Sequence, residues 1–513
     1  MNKRQITIRN VIYTVLVSMI LGSCSVKPEQ KPNIVFIFAD DQCYDAIHAL
    51  GYNSEIITPN LDKLADKGTT FTHAYNMGAW QPAVCLASRA MLNTGRYVWD
   101  AARFDNLASQ DSLAQKGEMW SQLMKKAGYE TYMTGKWHLK IKADSVFDHV
   151  VHERPGMPQD EFLKNYSSLV KKLKEEYKRS GDISELLPNG YSRPASEADT
   201  SWMPWDKSNG GFWEGGTHWS EVLGNDAIGF INRAKEKETP FFMYLAFNAP
   251  HDPRQSPKEF VDMYPLEKIE VPESFIPEYP YKDAIGCSPV LRDEALAPFP
   301  RTEYSIKVNR QEYYAIITHM DVQIGRILDA LETSGKADNT YIFFTADHGL
   351  AVGNHGLAGK QNMYDHSIRP PLLVAGPGIP EGGRISAAVY LQDIMASSLE
   401  IAGVQKPEYV RFNSFMPLIR GERTESLYPA IYGCYTDEQR MIRNENFKLI
   451  IYPKIKKLRL YDIQNDPLEL VDLIDKNEYA SIVSDLLKDF QKLQVEYEDN
   501  VKLDKIYNDY IIQ

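Results

Sequence analysis

Two apolar segments that lie far apart in the chain each end in a pair of polar, charge-bearing residues. The first is Asn33–Ala39, which precedes Asp40 and Asp41, and the second is Tyr341–Thr345, which precedes Ala346, Asp347 and His348. Short continuous apolar segments are typical of buried parallel strands. Ligands of open α/β sheets bind at the carboxyl ends of such strands. The two segments therefore predict an α/β fold with a functional site at one edge of its sheet.

The two acidic pairs have two readings. Aspartate is a common residue at helix starts, so each pair could simply cap a following helix. Two buried strands that deliver carboxylates to the same sheet edge favour a divalent-cation site over two unrelated caps. Hard carboxylate oxygens are the ligands that calcium and magnesium prefer.

Three further segments carry polar residues after a predicted strand or in a glycine-rich loop. The strand Phe241–Phe247 leads to Pro250 and His251, and the strand 130–134 leads to Lys136 and His138. After the second acidic pair, a glycine-rich loop ends at Lys360. Taken alone, a lysine or histidine in a loop is usually a solvated surface residue.

The segment from Cys85 to Arg96 contains a thiol four residues before Arg89. Small residues between them indicate that a loop enters a helix here. Backbone amides at a helix start and a guanidinium group both favour an anion such as sulfate or phosphate. A single cysteine near an arginine is more often an ordinary buried thiol, so these residues alone leave both readings open.

These motifs together resemble type I sulfatases, the formylglycine-dependent members of the alkaline-phosphatase-like superfamily. The resemblance rests on four elements: Cys85-x-Ala-Ser-Arg89 followed by Thr-Gly-Arg96, Gly-Lys136-x-His138, Pro-His251, and Gly-x-His-Gly-x-x-x-Lys360. It implies an α/β fold with an alkaline-phosphatase-like central mixed sheet flanked by helices. It also implies a smaller C-terminal subdomain made of an antiparallel sheet and a helix.

The resemblance implies a role for each matching residue. The metal ligands would be Asp40, Asp41, Cys85, Asp347 and His348, usually around calcium and less often magnesium. Relatives often have asparagine at the last position, and His348 follows a known variant of the pattern. A formylglycine-generating maturation enzyme would oxidise Cys85 to the aldehyde formylglycine, whose hydrate would attack sulfur.

The remaining matching residues would neutralise charge on the substrate and transfer protons. In the family pattern Arg89, Lys136 and Lys360 neutralise the charge on the sulfuryl oxygens. His251, together with Lys360, would protonate the departing alcohol. His138 would then remove a proton so that sulfate is expelled and the aldehyde returns.

The chain divides into four parts. We predict a signal peptide at 1–23, a tether at 24–32, a catalytic domain at 33–425 and an α+β subdomain at 426–513. The last part contains short strand-like segments followed by a helix around 479–497, and its segment 460–467 resembles a tail motif common to sulfatases. Only 141–220 lacks a recognisable family motif.

The start of the chain has the pattern of an export signal. Lys3, Arg4 and Arg9 precede the apolar run 11–21, which is too short to span a bilayer. The sequence Leu-Gly-Ser-Cys24 resembles a bacterial lipobox, which implies cleavage before Cys24 and a lipid on its thiol. Ordinary signal-peptidase cleavage nearby is the alternative. We therefore expect an exported protein, in the periplasm or at the cell surface and anchored to the membrane at Cys24.

Charge and cysteine usage exclude two protein classes. The formal net charge of −12 argues against a nucleic-acid-binding protein, so an anionic substrate must be held by a local basic pocket. The chain has five cysteines. If two of them serve as anchor and nucleophile, a disulfide framework is unexpected.

We therefore predict a sulfatase that acts on a sulfated carbohydrate such as a glycan or glycosaminoglycan fragment. The alternatives are a phosphodiester or phosphonate monoester hydrolase of the same superfamily, and a catalytically silent glycan-binding lipoprotein. A glycine-rich segment contains four of the eight tryptophans. Their rings either stack on sugars or fill a small core, and they are Trp202, Trp205, Trp213 and Trp219.

Overall fold

The computed structural model describes residues 30–158, 161–187 and 191–511. The predicted signal peptide, Cys24 and most of the tether lie outside the described residues. Within the described ranges, none of the helices combines the length and the apolar character needed to cross a membrane.

Seventeen strands within the described ranges form two larger sheets and two small ribbons. The strands are β1 Asn33–Ala39, β2 Thr69–Phe71, β3 Ala74–Tyr75, β4 Gly78–Ala79, β5 Glu130–Lys136, β6 His149–Arg154, β7 Trp213–Glu214, β8 Thr217–His218, β9 Phe241–Ala246, β10 Thr340–Ala346, β11 Leu372–Ala375, β12 Gly383–Ile385, β13 Val389–Tyr390, β14 Ile431–Tyr435, β15 Gln439–Arg443, β16 Phe447–Tyr452 and β17 Lys457–Asp462.

The central sheet has eight strands in the order β12-β2-β11-β10-β1-β9-β5-β6. The five strands from β10 to β6 run parallel to one another, and β11 is antiparallel to both of its neighbours. The mixed α/β sheet expected from the sequence is therefore confirmed. Strand β5 is two residues longer than predicted, so Lys136 is its last residue and does not follow it.

The α-helices lie mainly on the two faces of this sheet. They are α1 Pro59–Asp66, α2 Val84–Thr94, α3 Val98–Ala102, α4 Leu107–Lys116, α5 Trp120–Lys126, α6 Glu161–Ser180, α7 Trp219–Ala234, α8 Lys258–Val261, α9 Glu303–Thr333, α10 Asp365–Ile368, α11 Asp393–Ile401, α12 Met416–Ile419, α13 Ala480–Glu496 and α14 Asp504–Tyr510.

Each face of the sheet has its own core because side chains alternate along β1. Phe36 points to one face and packs against Trp120 of α5 and Tyr244 of β9, with both ring centroids 5.1 Å away. Ile37 points to the other face, where α1, α7 and α9 contribute apolar side chains. Each large side chain buried in this way contributes roughly 1.5–3 kcal/mol. The sheet is thus rigidly supported on both sides.

The C-terminal part contains the predicted antiparallel sheet, with one addition. Strands β14 to β17 form an antiparallel meander, and α13 packs against it through residues such as Leu487 and Phe490. The fifth strand is β4, which comes from the N-terminal part and pairs in parallel with β14. A segment six residues before Cys85 therefore ties this sheet to the catalytic part of the chain.

Candidate active site

Four adjacent parallel strands bring the predicted residues together. In the register of the sheet, Ala39 is paired with Ala346, so Asp40 and Asp347 leave neighbouring strands at the same level. Ala246 of β9 is paired with Phe38 and, on its other side, with Gly135 of β5. The strand ends therefore deliver both acidic pairs, His251 and Lys136 to one edge.

The carboxylates at this edge are buried and paired with cations. Lys136 Nζ donates to Asp40 Oδ2, and Lys360 Nζ lies 2.9 Å from both oxygens of Asp41. Arg89 Nε donates to Asp347 Oδ2 at 3.1 Å. No helix begins directly after either acidic pair within this described region. The capping interpretation is therefore wrong, because these oxygens face side-chain cations.

Burial and neighbouring charges shift the pKa values of Asp40 and Asp347 in opposite directions. Burial alone would raise the pKa of Asp40, but Lys136 and His251 hold it well below its usual value. Burial and then the neighbouring Asp40 raise the pKa of Asp347 to about 7. Burial and the neighbouring carboxylate thus disfavour the ionised form of Asp347, and a bound divalent cation would favour it.

The arrangement of His348 fits a metal ion. Its Nδ1 lies 2.8 Å from the Gly349 carbonyl oxygen and must carry the proton of that hydrogen bond. The lone pair of Nε2 then faces Asp41 Oδ1 at 3.2 Å and Asp347 Oδ1 at 3.6 Å. Burial alone would lower the pKa of His348, but Asp347 and Asp41 raise it. Either a proton on Nε2 or a bound cation would therefore remove the repulsion between this lone pair and the two carboxylate oxygens. His348 Nε2 and Asp40 Oδ1 are both buried without a hydrogen-bond partner.

The ligand atoms are close enough for one ion. One ligand atom each from Asp40, Cys85, Asp347 and His348 lie within 4.8 Å of one another, and the same holds for Asp40, Asp41 and His251. The structure therefore brings together all five residues predicted as metal ligands. His251 lies beside this group as well.

Cys85 is the second residue of helix α2 and is 2% exposed. Its Sγ lies 3.4 Å from His138 Nδ1. Burial alone would raise the pKa of the thiol, but Lys136, His138 and Lys360 hold it well below its usual value. The predicted entry from a loop into a helix is observed, and the position is strongly electropositive.

Arg89 lies one helical turn further on and is fully buried beneath the carboxylates. Besides Asp347, it donates from Nη1 to the Lys136 carbonyl oxygen at 2.7 Å, and its guanidinium group covers the Phe38 ring at 4.5 Å. Arg89 therefore holds the acidic residues and the end of β5 in place. The second arginine of the motif, Arg96, is outside the site and donates to Glu118 Oε2 at 2.6 Å.

His251 and Lys360 each have a carboxylate partner. His251 Nδ1 lies 2.9 Å from Asp252 Oδ1. Burial opposes the charged imidazole, but Asp252 outweighs it and the pKa of His251 rises to about 10. Lys360 Nζ lies 3.7 Å from Asp293 Oδ2. Burial alone would lower the pKa of Lys360, but Asp41 and Asp293 raise it well above the usual lysine value.

Two residues of the site have an unusual backbone conformation. Asp41 and His138 have φ angles of 70° and 59°, in the left-handed region that non-glycine residues rarely adopt. Gly156 lies against His138, and a Cβ atom there would come within 2.6–3.0 Å of three atoms of the imidazole ring. Such strain is typical of functional sites, where the surrounding fold fixes unusual side-chain directions.

Three consecutive charged residues, Arg292, Asp293 and Glu294, contact the site from one side and were not predicted from the sequence. Arg292 contacts Asp252, and Asp293 contacts Lys360. The carboxylate of Glu294 accepts hydrogen bonds from the backbone amides of residues 358 and 359. The only available signal was a run of charges within an apolar, proline-containing stretch.

The tryptophans have different surroundings. Trp202 is 4% exposed, donates from Nε1 to Glu312 Oε2 at 2.9 Å and is covered by Arg193. For Trp202 the core interpretation is therefore correct. Trp213 is only partly buried and donates to Gln255 Oε1 at 3.1 Å, so sugar contact at its ring stays a prediction.

Comparison with known proteins places this geometry in a family. The sulfatase family model matches residues 32–404, and a second model, "N-sulphoglucosamine sulphohydrolase, C-terminal", matches residues 353–496. The chain is 28% identical to an arylsulfatase of Clostridium perfringens, over 93% of this chain and 98% of the relative. It is also 28% identical to an N-acetylglucosamine-6-O-sulfatase of Bacteroides thetaiotaomicron, over 94% and 90%.

The solved structures include that of BT4656 in complex with its substrate D-glucosamine-2-N,6-O-disulfate. It has a TM-score of 0.68 and 22% identity, and the match covers 92% of this chain and 99% of that one. This likeness concerns the fold. The family match over most of the chain, with the sulfatase relatives, shows that this protein is a sulfuric ester hydrolase and belongs to the sulfatase family of the alkaline-phosphatase-like superfamily.

Proposed function

We propose that this sulfatase hydrolyses sulfate esters of a carbohydrate, using formylglycine at position 85 and a bound divalent cation. The observation that carries the proposal is the position of Cys85, in one buried cluster with the predicted metal ligands and with Lys136, His138 and Lys360. Burial raises the pKa of a thiol in a structural core, as it does for Cys434, which packs in the apolar cluster of the C-terminal sheet. The surroundings of Cys85 suit a reaction centre.

The residues that would hold the cation are Asp40, Asp41, Asp347 and His348, together with position 85. Bound there, the cation would stabilise negative charge as a Lewis acid, and formylglycine would supply the attacking hydroxyl group. Carboxylate oxygens favour calcium or magnesium, and the single imidazole is unusual for either. We propose calcium, in keeping with the family pattern.

The chain itself supplies charge and proton transfer. The ammonium groups of Lys136 and Lys360 flank Cys85 and would bind the sulfuryl oxygens. Arg89 would act indirectly, because it holds Asp347 and the end of β5 in position. This differs from the direct sulfuryl contact that the family resemblance suggested for Arg89.

His251 and His138 would each carry out one of the two proton transfers. His251 has Nδ1 engaged by Asp252 and therefore presents Nε2 to the site, where a protonated imidazole would donate to the departing alcohol. Burial lowers the pKa of His138, which favours the neutral imidazole that a base requires. It lies within contact distance of position 85 and would act as the base that restores the aldehyde.

The carbohydrate part of the proposal is supported by the relatives. One similar protein is named for N-acetylglucosamine-6-O-sulfate, and one similar structure contains a glucosamine disulfate. We propose a sulfated glycan or glycosaminoglycan fragment as the substrate. The start of the sequence supports export, followed by lipid attachment at Cys24. A maturation enzyme that generates formylglycine would be the required partner.

A substrate panel tests this proposal. Purified protein, co-expressed with a maturation enzyme, is incubated with sulfated mono- and oligosaccharides, with aryl and choline sulfates, and with matched aryl phosphate and phosphonate esters. Sulfate release from at least one sugar is expected, and Cys85→Ala should release none. Hydrolysis of aryl sulfates with every sugar sulfate left intact would refute the carbohydrate assignment. Preferential hydrolysis of the phosphorus esters would favour the phosphonate or phosphodiester hydrolase alternative.

A further inference from the structure

Arg292 is the outermost cation beside the catalytic cluster. Its side chain is 24% exposed, whereas those of Arg89 and Lys136 are fully buried and that of Lys360 is 2% exposed. Of these four cations, Arg292 is therefore the one with the most side-chain surface open to a ligand from solvent.

The guanidinium group is fixed beside the catalytic imidazole. Arg292 Nη2 lies 2.5 Å from Asp293 Oδ1, 3.4 Å from Asp252 Oδ1 and 3.4 Å from His251 Nε2. Two carboxylates therefore hold Arg292 against the edge of His251 that would face the departing alcohol. An arginine held in this way loses little side-chain entropy when it binds a ligand.

One arm of Arg292 lacks a strong acceptor. Among the described residues, Nη1 has its hydrogen-bond contact with the thioether Sδ of Met157, and a thioether is a weak acceptor. The two carboxylates are also shared, because Asp252 pairs with His251 and Asp293 with Lys360. Arg292 thus keeps both donor capacity and positive charge that its protein partners do not fully use.

Met157 connects this arm to the opposite side of the site. The preceding residue, Gly156, lies against the ring of His138. The wall formed by Gly156 and Met157 therefore runs from His138 to Arg292. The part of the substrate that carries the departing alcohol would lie along this wall, next to Nη1.

We propose that Arg292 is a specificity-determining residue that binds a second anionic group of the substrate, a carboxylate or a second sulfate, close to the ester that is hydrolysed. This inference rests on the proposed function. Guanidinium N–H groups donate charge-assisted hydrogen bonds to either anion, and Nη1 is the group that would donate them here. Because Nη2 lies in contact with His251, the second group belongs on the same sugar ring or on the adjacent one. The substrate would then be a polyanionic saccharide.

The test compares matched substrates. Glucosamine 6-sulfate and glucosamine N,6-disulfate form one pair, and a sulfated disaccharide with a uronate or with its neutral analogue forms the other. Wild-type kcat/KM should be about 10- to 100-fold higher for the doubly anionic member of at least one pair. Arg292→Met should bring this ratio close to one, mainly by raising KM, and Arg292→Lys should retain part of it. Arg179→Met, at an exposed arginine of α6, is the control and should keep the wild-type ratio.

The outcomes separate this inference from the proposed function. Equal wild-type rates on both members of each pair, or a preference that survives in Arg292→Met, would overturn the role of Arg292 while leaving the sulfatase activity intact. If neither member is hydrolysed, the same pairs are measured as ligands of Cys85→Ala protein by calorimetry. Preferential binding of the doubly anionic sugars that depends on Arg292 supports the inference, and equal binding overturns it.

Discussion

His251 and Asp252 are consecutive residues whose side chains form an ion pair at the active site. Nδ1 of His251 lies 2.9 Å from Asp252 Oδ1 and 2.8 Å from the Asp252 carbonyl oxygen. The proton on Nδ1 is therefore fixed, and Nε2 faces Asp41 Oδ2 at 3.9 Å. A carboxylate behind an imidazole both orients the ring and stabilises its charged form.

Asp252→Asn should lower kcat about 100-fold, because a positioned acid contributes this much and its position and charge both depend on Asp252. Since Asp252 raises the pKa of His251, the variant should also lose activity at a lower alkaline pH than the wild type. The pH profile of kcat checks both effects. Asp262→Asn, at an exposed residue paired with Lys258, is the control. An unchanged kcat and an unchanged alkaline limb would show that Asp252 has only a structural role.

Position 85 of active protein should carry formylglycine. Peptide mass spectrometry should find the aldehyde there, and protein made without a maturation enzyme should be folded but nearly inactive. Cys85→Ala should abolish turnover, whereas Cys434→Ala, at another buried free cysteine, should retain it. Full activity in protein with only unmodified cysteine at position 85 would contradict the mechanism.

Removing the metal should abolish activity without unfolding the protein. Arg89, Lys136 and Lys360 still pair with the carboxylates when the cation is absent, so the fold has partial compensation. Calcium added back to chelated wild type should raise Tm and restore turnover, because ligand binding stabilises the folded state. Added calcium should change neither the Tm nor the turnover of Asp347→Ala. Asp144→Ala, at an exposed residue, should respond to calcium as the wild type does. Full turnover in rigorously metal-free protein would exclude a catalytic ion.

Much of the site could be predicted because the relevant residues follow apolar strands. The segment 33–39 is recognisable as a buried strand from its own composition, so the position of Asp40 and Asp41 at a sheet edge follows directly. The same holds for Asp347 and His348. Nothing in the sequence shows which strands are neighbours, and the register of β10, β1, β9 and β5 provides that information.

The remaining residues lie where local sequence gives no pattern. Arg292 and Asp293 lie in a turn and Glu294 begins a short 3-10 helix. Their roles depend on contacts with residues 252, 360 and 358–359, far away in the chain. Strand β4 has two residues, too short for any periodicity, so its pairing with β14 was not predictable. The burial of Trp202 against Glu312 depends likewise on a distant helix.

The lipid anchor is a prediction from the sequence alone, because Cys24 lies outside the described residues. A labelled fatty acid should be incorporated into the wild-type protein expressed in a bacterial host. Cys24→Ala should not be labelled, while Cys43→Ala, at a buried cysteine of the folded domain, should be labelled normally. Equal labelling of wild type and Cys24→Ala would exclude this anchor and leave ordinary cleavage as the explanation of the export signal.

Asp393 should make the stability of the fold depend on pH. This first residue of α11 is buried and accepts hydrogen bonds from Tyr428 Oη and from the backbone amides of Tyr390 and Asn413. Burial outweighs these bonds and raises the pKa of Asp393 to about 7, against 3.8 for an unperturbed aspartate. Between the two values the folded state keeps a proton that the unfolded state has lost. The resulting stability, at most about 4 kcal/mol, is full at low pH and is lost as the pH rises through about 7.

Asp393→Asn removes the ionisable carboxyl group. The Tm of this variant should therefore rise relative to that of the wild type as the pH is raised from about 5 to about 8.5. The substitution also replaces an acceptor facing the Tyr390 amide with an NH2 group, which lowers stability by an amount that does not change with pH. The informative quantity is therefore the slope of the difference in Tm, measured by thermal unfolding across this range. Asp338→Asn, at an exposed residue, should show no such slope. A constant difference between Asp393→Asn and the wild type at every pH would mean that Asp393 stays ionised in the folded protein, and that its three hydrogen bonds outweigh the cost of burial.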